Sequence, residues 1–321
     1  MVHKVAVLTS GGDAPGMNAC IRAVVRAGLR NDLEMYVIYE GYKGLVNDKI
    51  VKADRNFVSD IINRGGTILG SARLPEFKEE AVQLKAVEVL NKHGIDGLVV
   101  IGGDGTYRGA ADLAKRGINT IGLPGTIDND IASTDFTIGY DTCLNTICEC
   151  VDKLRDTTTS HQRCSLIEVM GNHCGDLGVN SGIAEGVEMI ITPDHPMKDE
   201  DVFKKLKELQ GGKKKHSLVI VSEHMYDDIH AFAKRIQEET GIETRAEVLG
   251  RLQRGGSPSA RDRILATEYG VEAIRALLNG ETSVCIGIKG DKMVHTPIAD
   301  ALKMKRKSSD DLIEIIKLVN R

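Results

Sequence analysis

Two glycine-rich turns carry carboxylates that could take part in catalysis. Asp104 lies in segment 102–106 (GGDGT), and Asp128 and Asp130 lie in segment 123–130 (LPGTIDND). The glycines leave room for a bulky ligand, and a carboxylate is a ligand that Mg²⁺ prefers. In extended backbone, Asp128 and Asp130 share a face, so one could accept a proton while the other organises a metal and its waters. The structural alternatives are Asp104 as a helix N-cap and Asx turns in the second segment.

Segment 9–18 (TSGGDAPGMN) follows the first apolar run and could approach a phosphate. Gly11 and Gly16 have the spacing of a Walker loop, but Met17 stands where that loop needs lysine, which excludes the P-loop. A glycine backbone at a helix N-terminus remains, and such a terminus attracts anions. The alternative is a structural turn between a strand and a helix.

Segment 248–258 (VLGRLQRGGSP) places Arg251 and Arg254 beside a Gly-Gly turn. The planar guanidinium of arginine donates hydrogen bonds in pairs, which suits a phosphate ligand. Two solvated surface arginines are the alternative.

Alternating strands and helices are needed to position these turns. The pattern predicts a mostly parallel sheet covered on both faces, in which ligands bind where strands end. Predicted strands are Val5–Leu8, Met35–Tyr39, Gly97–Ile101, Ile118–Leu123, Leu166–Met170, Met189–Thr192, Leu218–Ser222 and Val284–Ile288. Predicted helices are Met17–Leu29, Glu79–His93, Thr106–Lys115, Cys143–Asp156, Val202–Leu209, Ile229–Thr240 and Ala260–Leu278.

Composition excludes several classes of protein. The 321 residues include 42 Lys plus Arg against 46 Asp plus Glu, and 4% are aromatic, which argues against a nucleic-acid platform. No apolar run has membrane-spanning length and no signal peptide is evident. Seven cysteines without a CxxC pair disfavour a disulfide framework or a zinc site. We expect a cytoplasmic protein of two domains, or of one large α/β unit, without nucleic-acid or membrane partners.

The four segments, taken in their order along the chain, resemble the bacterial ATP-dependent 6-phosphofructokinases. The resemblance runs nearly end to end and includes segments 70–73 (GSAR), 168–171 (EVMG) and 222–224 (SEH). NAD kinases and diacylglycerol kinases also use GGDGT, but membership of either family would not predict the PGTIDND loop that this sequence contains. The resemblance implies an α/β fold of two three-layer αβα domains with mostly parallel sheets and the active site in the cleft between them. Residues 1–138 plus 252–304 would bind ATP, and residues 139–251 plus 305–321 would bind fructose 6-phosphate.

The resemblance also implies the reaction, which is transfer of the ATP γ-phosphoryl group to O1 of fructose 6-phosphate, giving fructose 1,6-bisphosphate and ADP. Asp128 matches the general base, Thr126 the residue that steadies the phosphoryl group, and Arg73 a cation that bridges ATP and sugar. Mg²⁺ would be held by Asp104, with Asp130 in its outer shell. The expected ATP contacts are Gly11, Tyr42, Arg73, Leu74, Gly103, Asp104, Gly105, Thr106 and Gly109. The expected sugar-phosphate contacts are Thr126, Ile127, Asp128, Arg163, Met170, Gly171, Asn172, Glu223, Arg245, Arg251, Leu252, Gln253 and Arg254.

Single positions refine this interpretation. Pyrophosphate-dependent relatives usually carry Asp and Lys where Gly105 and Gly125 stand here, so ATP is the expected phosphoryl donor. Asn172 stands where the family normally has Arg, and Arg251 where it normally has His. We hypothesise that Arg251 partly offsets the cation missing at Asn172.

A second anion site is expected near Arg22 and Arg26, which share a helix face at four-residue spacing and repel each other there. The resemblance implies an effector site between subunits of a homo-oligomer, a tetramer in this family, with ADP as activator and phosphoenolpyruvate as inhibitor. Its residues would be Arg22, Arg26, Arg55, Ser59, Arg155, Gly186, Val187, Glu188, Lys213, Lys214, Lys215 and His216. Arg163 and Arg245 would reach the active site from a neighbouring subunit.

The alternative to a kinase is a catalytically weakened sensor of nucleotide or sugar phosphate with the same fold. Asn172 favours this alternative, and the presence of Asp104 and Asp128 opposes it.

Overall fold

The computed structural model describes residues 2–212, 215–307 and 309–319. The chain divides into two units. Unit 1 comprises Met1–Ile127, Ile131–Thr142 and Arg254–Arg306, and unit 2 comprises Asp128–Asp130, Cys143–Gln253 and Lys307–Arg321. The predicted assignment of ATP and sugar phosphate to separate domains stays a prediction.

Eleven strands are described. They are β1 (Lys4–Thr9), β2 (Glu34–Ile38), β3 (Ile50–Lys52), β4 (Gly97–Gly102), β5 (Asn119–Pro124), β6 (Cys164–Val169), β7 (Met189–Ile191), β8 (Ser217–Ser222), β9 (Thr244–Val248), β10 (Val284–Lys289) and β11 (Lys292–Pro297).

Eleven α-helices are described with them. They are α1 (Met17–Arg30), α2 (Gly41–Val46), α3 (Glu80–His93), α4 (Asp104–Ala114), α5 (Tyr140–His161), α6 (Asp176–Glu185), α7 (Asp199–Gln210), α8 (Ile229–Thr240), α9 (Ala260–Leu278), α10 (Ile298–Ala301) and α11 (Asp310–Val319). Two 3₁₀ helices span Pro75–Lys78 and Gly250–Arg254. In the described chain, no helix combines the length and apolar character that crossing a membrane requires.

Unit 1 contains a seven-stranded sheet in the order β11-β10-β5-β4-β1-β2-β3. Its five central strands are parallel, and the edge strands β3 and β11 pair antiparallel with their neighbours. All six residues of β4 are buried, as expected for a strand covered on both faces. Unit 2 contains a parallel sheet in the order β7-β8-β6-β9, with its own apolar core around Leu166, Val219 and Phe232. The predicted α/β class with mostly parallel sheets is confirmed.

The predicted strands and helices are all present, with ends that shift by a few residues, but several elements were not predicted. Strand β9 reads Thr-Arg-Ala-Glu-Val and is largely exposed, so it lacks an apolar run. Helix α6 contains Gly178 and Gly182, which weaken its helical signal. A Cβ atom at Gly178 would lie 3.0 Å from Ser222 Oγ, so the glycine allows α6 to approach β8 closely.

The cysteines are all free. Burial is the main cause that raises the pKa of the Cys20, Cys148, Cys150, Cys164 and Cys285 thiols. Five of the seven are buried and behave as small apolar side chains, whereas Cys148 and Cys150 are partly exposed.

The buried carboxylate of Asp262 holds the first turn of α5 within unit 1. It accepts hydrogen bonds from the Gly139 amide (2.9 Å), the Thr142 amide (2.8 Å) and the Thr142 hydroxyl (2.5 Å). Burial raises the pKa of Asp262, and these hydrogen bonds oppose the rise. The side chain therefore replaces solvent for three donors at the start of the long helix.

We expect Asp262→Ala to lower the free energy of unfolding by roughly 3 kcal/mol, because it leaves these donors buried without an acceptor. Urea unfolding at fixed protein concentration measures the change. Asp300→Ala is the matched control, since the Asp300 side chain is 65% exposed. Equal stability of the two variants would contradict this role for Asp262.

Candidate active site

Three glycine turns meet at one edge of the sheet of unit 1. Strand β1 pairs with β2 on one side and with β4 on the other, so the strand order reverses between β1 and β4. The Ser10 amide donates to the Ile101 carbonyl (3.0 Å), and the Gly125 amide donates to the Gly102 carbonyl (3.1 Å). The turns after β1, β4 and β5 are thus neighbours at the carboxyl ends of the strands, where ligands bind in such sheets.

Asp104 is the first residue of α4 and faces open space. Its side chain is 49% exposed, and the Arg108 guanidinium lies 3.9 Å away. Partial burial raises the pKa of Asp104, and the charge of Arg108 opposes the rise. A Cβ atom at Gly103 or Gly105 would meet nothing within 4 Å. The site is accessible to a large ligand, and the helix N-terminus favours an anion there.

The alternative that Asp104 is the N-cap of α4 is wrong, because Gly103 occupies that position and no side chain caps the helix. The Thr106 hydroxyl, which could have donated to a phosphate, instead donates to the Ser10 carbonyl (3.2 Å). Thr106 is 3% exposed. Its hydrogen bond therefore joins the glycine turn after β1 to the glycine turn after β4 inside the protein.

Tyr42, an expected ATP contact, is buried behind α4. Its hydroxyl donates to the Thr106 carbonyl (2.6 Å), and its ring stacks on Phe77 with centroids 4.2 Å apart. A Cβ atom at Gly109 would lie 2.6 Å from the Tyr42 ring. Gly109 therefore admits this ring, and Leu74 packs at the edge of the same core. Arg73 is exposed.

The first glycine turn is held by neighbouring side chains. The Ser71 hydroxyl donates to the Gly11 carbonyl. The Arg254 guanidinium lies over Gly12, where a Cβ atom would be 2.3 Å from Nη1, and it donates to the Asp13 carbonyl (3.2 Å). Arg254, expected at the sugar phosphate, is thus placed within unit 1 against this turn.

The segment from Asp128 to Asp130 is bent, so the premise that both carboxylates share a face of extended backbone is wrong. Asn129 between them has φ of 51°, a left-handed conformation that Asn tolerates better than most residues. The Asn129 amide nitrogen donates to Asp176 Oδ2 (2.9 Å) at the start of α6. Asp128 is 8% exposed. The sequence analysis did not predict that Asn129 and Asp176 hold this bend in place. The one signal for it in the sequence is an Asn, which tolerates the left-handed conformation, between two Asp residues.

In unit 2, Glu223 and Gln253 bind three successive amides of the turn after β6. Gln253 Oε1 accepts from the Met170 amide (3.1 Å), and Glu223 Oε1 accepts from the amides of Gly171 (3.1 Å) and Asn172 (2.7 Å). The Gln253 amide nitrogen donates to the Gly250 carbonyl (3.0 Å). Gln253 is fully buried, so it joins the 3₁₀ helix that carries Arg251 to the turn that carries Asn172.

Two acidic side chains of unit 2 lie near opposite ends of β6, with Glu168 near its carboxyl end and Glu243 beside its first residue, Cys164. Burial, followed by the charge of Glu223, raises the pKa of Glu168. Glu243 pairs with both Arg163 (3.5 Å) and Arg245 (2.9 Å), the two cations expected to serve a neighbouring subunit. Leu252 is 61% exposed and Arg251 is exposed as well. Thr126 and Ile127, which precede the bend, are buried within unit 1.

Three of the four expected effector residues of unit 1 line a cavity of about 540 Å³, and the fourth, Ser59, does not. Arg22, Arg26 and Arg55 are joined there by Arg30 and Arg275, which sequence reasoning missed. Burial lowers the pKa of Arg22, and the charges of Arg26 and Arg55 lower it further. Five cations around one cavity favour an anionic ligand. The Ser59 hydroxyl donates to the Arg55 carbonyl (3.0 Å).

Several of the expected effector residues of unit 2 already make hydrogen bonds within the chain. Glu188 Oε2 accepts from the Leu218 amide (2.7 Å), and Gly186 ends α6 in the left-handed conformation. Val187, which follows it, is buried. Lys215 donates to the Gln210 carbonyl (2.8 Å), with His216 next in the chain. Lys213 and Lys214 lie outside the described residues.

Mg²⁺ fits the donors available. Across residues 2–212, 215–307 and 309–319, no group of three or more His, Cys, Asp or Glu side chains is arranged to hold a metal ion. Mg²⁺ commonly binds through one or two carboxylates plus substrate phosphates and waters. The accessible Asp104 carboxylate beside open glycine backbone suits that mode of binding.

Comparison with known proteins identifies the family. The sequence profile described as Phosphofructokinase matches residues 4–277. The chain belongs to the phosphofructokinase family. It is 53% identical over 320 residues to the ATP-dependent 6-phosphofructokinase of Tolumonas auensis, covering 99% of this chain and 100% of that protein.

Solved phosphofructokinase structures have the same fold. A structure of phosphofructokinase from Saccharomyces cerevisiae matches with a TM-score of 0.88 and 34% identity, covering 99% of this chain and 47% of the yeast chain. A pyrophosphate-dependent phosphofructokinase from Marinobacter aquaeolei matches with a TM-score of 0.87 at 20% identity, covering 99% of this chain and 91% of that chain. A protein named for pyrophosphate dependence shares this fold, so the fold alone does not identify the phosphoryl donor.

We expect Gln253→Met to raise the KM for fructose 6-phosphate roughly tenfold, because small misplacement of positioning groups weakens productive binding. The KM for ATP should change less than twofold, since Gln253 contacts the turn after β6 and the 3₁₀ helix. Steady-state kinetics with each substrate varied separately measures both constants. The exposed Gln237 on α8 gives the control variant Gln237→Met. An equal rise in both KM values would indicate general damage to the fold and contradict positioning.

Proposed function

We propose that the chain is an ATP-dependent 6-phosphofructokinase, which transfers the γ-phosphoryl group of ATP to O1 of fructose 6-phosphate in glycolysis. The observation that carries this proposal is the match of about 53% identity along the full length of a curated enzyme of that name. A coupled assay for ADP release, with and without fructose 6-phosphate, tests it. ADP release that does not depend on the sugar phosphate would contradict the proposal.

The open end of α4 supports the nucleotide side of this reaction. The backbone at Gly103 and Gly105 lets phosphates approach the helix N-terminus, and Gly11 offers the same freedom after β1. Asp104 would hold Mg²⁺, with Asp130 as an outer-shell partner. When bound with ATP, Mg²⁺ would offset charge on the phosphate oxygens during transfer.

Asp128 is the proposed general base. It accepts the proton of the sugar 1-hydroxyl while O1 forms a bond to the γ-phosphorus and the bond from that phosphorus to the ADP oxygen breaks. Its low exposure limits competition from water for this carboxylate. Thr126 would steady the transferring group, and the exposed Arg73 would place positive charge beside it. The remaining sugar-phosphate contacts proposed from the resemblance include Arg163, Glu223, Arg245 and Arg251.

We expect Asp128→Asn to lower kcat by roughly 10²- to 10⁴-fold, because the amide cannot accept the proton. ATP affinity, measured by calorimetry, should stay within twofold of wild type. Asp227→Asn, at an exposed carboxylate of unit 2, is the control and should leave kcat unchanged. A kcat for Asp128→Asn close to wild type would remove the residue from the role of base.

ATP is the proposed donor rather than pyrophosphate. Gly105 lies in open space, whereas a Cβ atom at Gly125 would lie 2.9 Å from the Ile101 side chain and 3.1 Å from the Met17 side chain. The first position leaves an uncharged opening beside Asp104 for the rest of the nucleotide. The second position is too crowded for a lysine side chain to enter without displacement of its neighbours.

We expect Gly105→Asp to raise the KM for ATP at least roughly tenfold, since a second carboxylate beside Asp104 repels the triphosphate. Gly105→Ala adds bulk without charge and should have the smaller effect. Initial rates with ATP and with pyrophosphate measure the preference. Wild-type use of ATP by the Asp variant would show that this position does not select the donor.

Assembly and regulation complete the proposal. We propose a cytoplasmic homotetramer in which ADP activates and phosphoenolpyruvate inhibits. The five arginines around the cavity of unit 1 support an anionic effector. The alternative of a catalytically weakened sensor is not favoured, because Asp104 and Asp128 are both present and the relatives that match along the full length are named as kinases.

A further inference from the structure

Arg155, one of the proposed effector contacts, is bound by a carboxylate of its own chain. Its Nη2 donates to Glu185 Oε2 at 3.0 Å and also to the Glu185 carbonyl. Arg155 lies on α5, and Glu185 is the last residue of α6. The Glu185 side chain is 8% exposed, against 28% for Arg155. The carboxylate is therefore largely shielded from water, which strengthens its attraction to the guanidinium.

A second group on α5, the Cys148 thiol, interacts with the same carboxylate. Cys148 and Arg155 are seven residues apart, which places them on one face of the helix after two turns. Burial, followed by a hydrogen bond to Glu185, raises the pKa of the Cys148 thiol to about 12. The thiol thus stays protonated and can donate to Glu185. The ion pair with Arg155 and the low exposure of Glu185 show that the carboxylate is not a free surface group.

The arginines of unit 1 provide a contrast. Among the described residues, Arg22, Arg26 and Arg55 form no ion pair with a carboxylate, and the lowered pKa of Arg22 reflects burial and repulsion by the other two. A phosphate there would relieve repulsion. At Arg155 a phosphate must displace Glu185 or bind beside it, and in either case the carboxylate opposes binding.

We propose that the Glu185 carboxylate competes with the anionic effector for the Arg155 guanidinium. This competition raises the ADP concentration needed for activation. This inference rests on the proposed effector site. Only molecules in which Arg155 is free of Glu185 are fully competent to bind the effector. The apparent affinity for the effector falls in proportion to the fraction of molecules in that state. A competent fraction of roughly one tenth corresponds to a tenfold loss of apparent affinity.

The test compares ADP activation of Glu185→Gln, Arg155→Ala and wild type at low fructose 6-phosphate and saturating ATP. Glu185→Gln keeps the shape and removes the charge, so half-maximal activation should need roughly tenfold less ADP. Arg155→Ala should abolish activation. Glu149→Gln, on the same helix but at a side chain 69% exposed, is the control and should match wild type. Glu185→Ala provides a second variant, and thermal unfolding verifies that each protein is folded.

The outcomes separate the two proposals. If ADP activates wild type through Arg155, but Glu185→Gln needs as much ADP as wild type or more, Glu185 either is irrelevant or orients Arg155 for the ligand, and the inference fails alone. If wild type shows no ADP activation and Arg155→Ala changes nothing, the effector site fails and the inference fails with it.

Discussion

The parallel pairing of β1 with β4 is the constraint on which the nucleotide side of the protein depends. Right-handed crossovers that leave these two strands in opposite directions place α1 and α4 on opposite faces of the sheet. The N-termini of both helices then face one edge, where their free amides attract anions. Such closeness requires backbone without side chains. At Gly102, a Cβ atom would lie 2.3 Å from Thr106 Oγ1 and 2.4 Å from the Ser10 carbonyl oxygen.

Much of this arrangement could be predicted because burial and chain reversal leave strong signals. The apolar run of β4 and the glycines after it indicate a covered strand that ends at a ligand edge. The neighbourhood of β1 and β4 could not be read from periodicity, since strand order depends on contacts between distant segments. Strand β9 was missed because its outward side chains are charged, and the bend at Asn129 because one left-handed residue has no periodic pattern. Domain limits and residue roles came from the resemblance.

Hydrogen bonding shows which of the expected contact residues also stabilise the protein around the site. Thr106, Tyr42 and Gln253 were all expected to contact ligands, yet each is buried and has a partner in the protein. A buried polar group keeps its partners because the loss of one is costly. Exposed groups such as Asp104, Arg73 and Arg251 have no such restriction. Single positions in a sequence carry little information about this difference, because both kinds lie within the same motifs.

The protonated thiols have a consequence for handling and ageing of the protein. A thiol reacts with oxidants and alkylating agents as its thiolate, and burial keeps that form scarce at neutral pH. Cys20 and Cys164, which lie inside separate units, also have no path to a reagent while the fold is intact. The rate at which a maleimide labels these two thiols should therefore measure local opening of the fold, in contrast to the partly exposed Cys148 and Cys150.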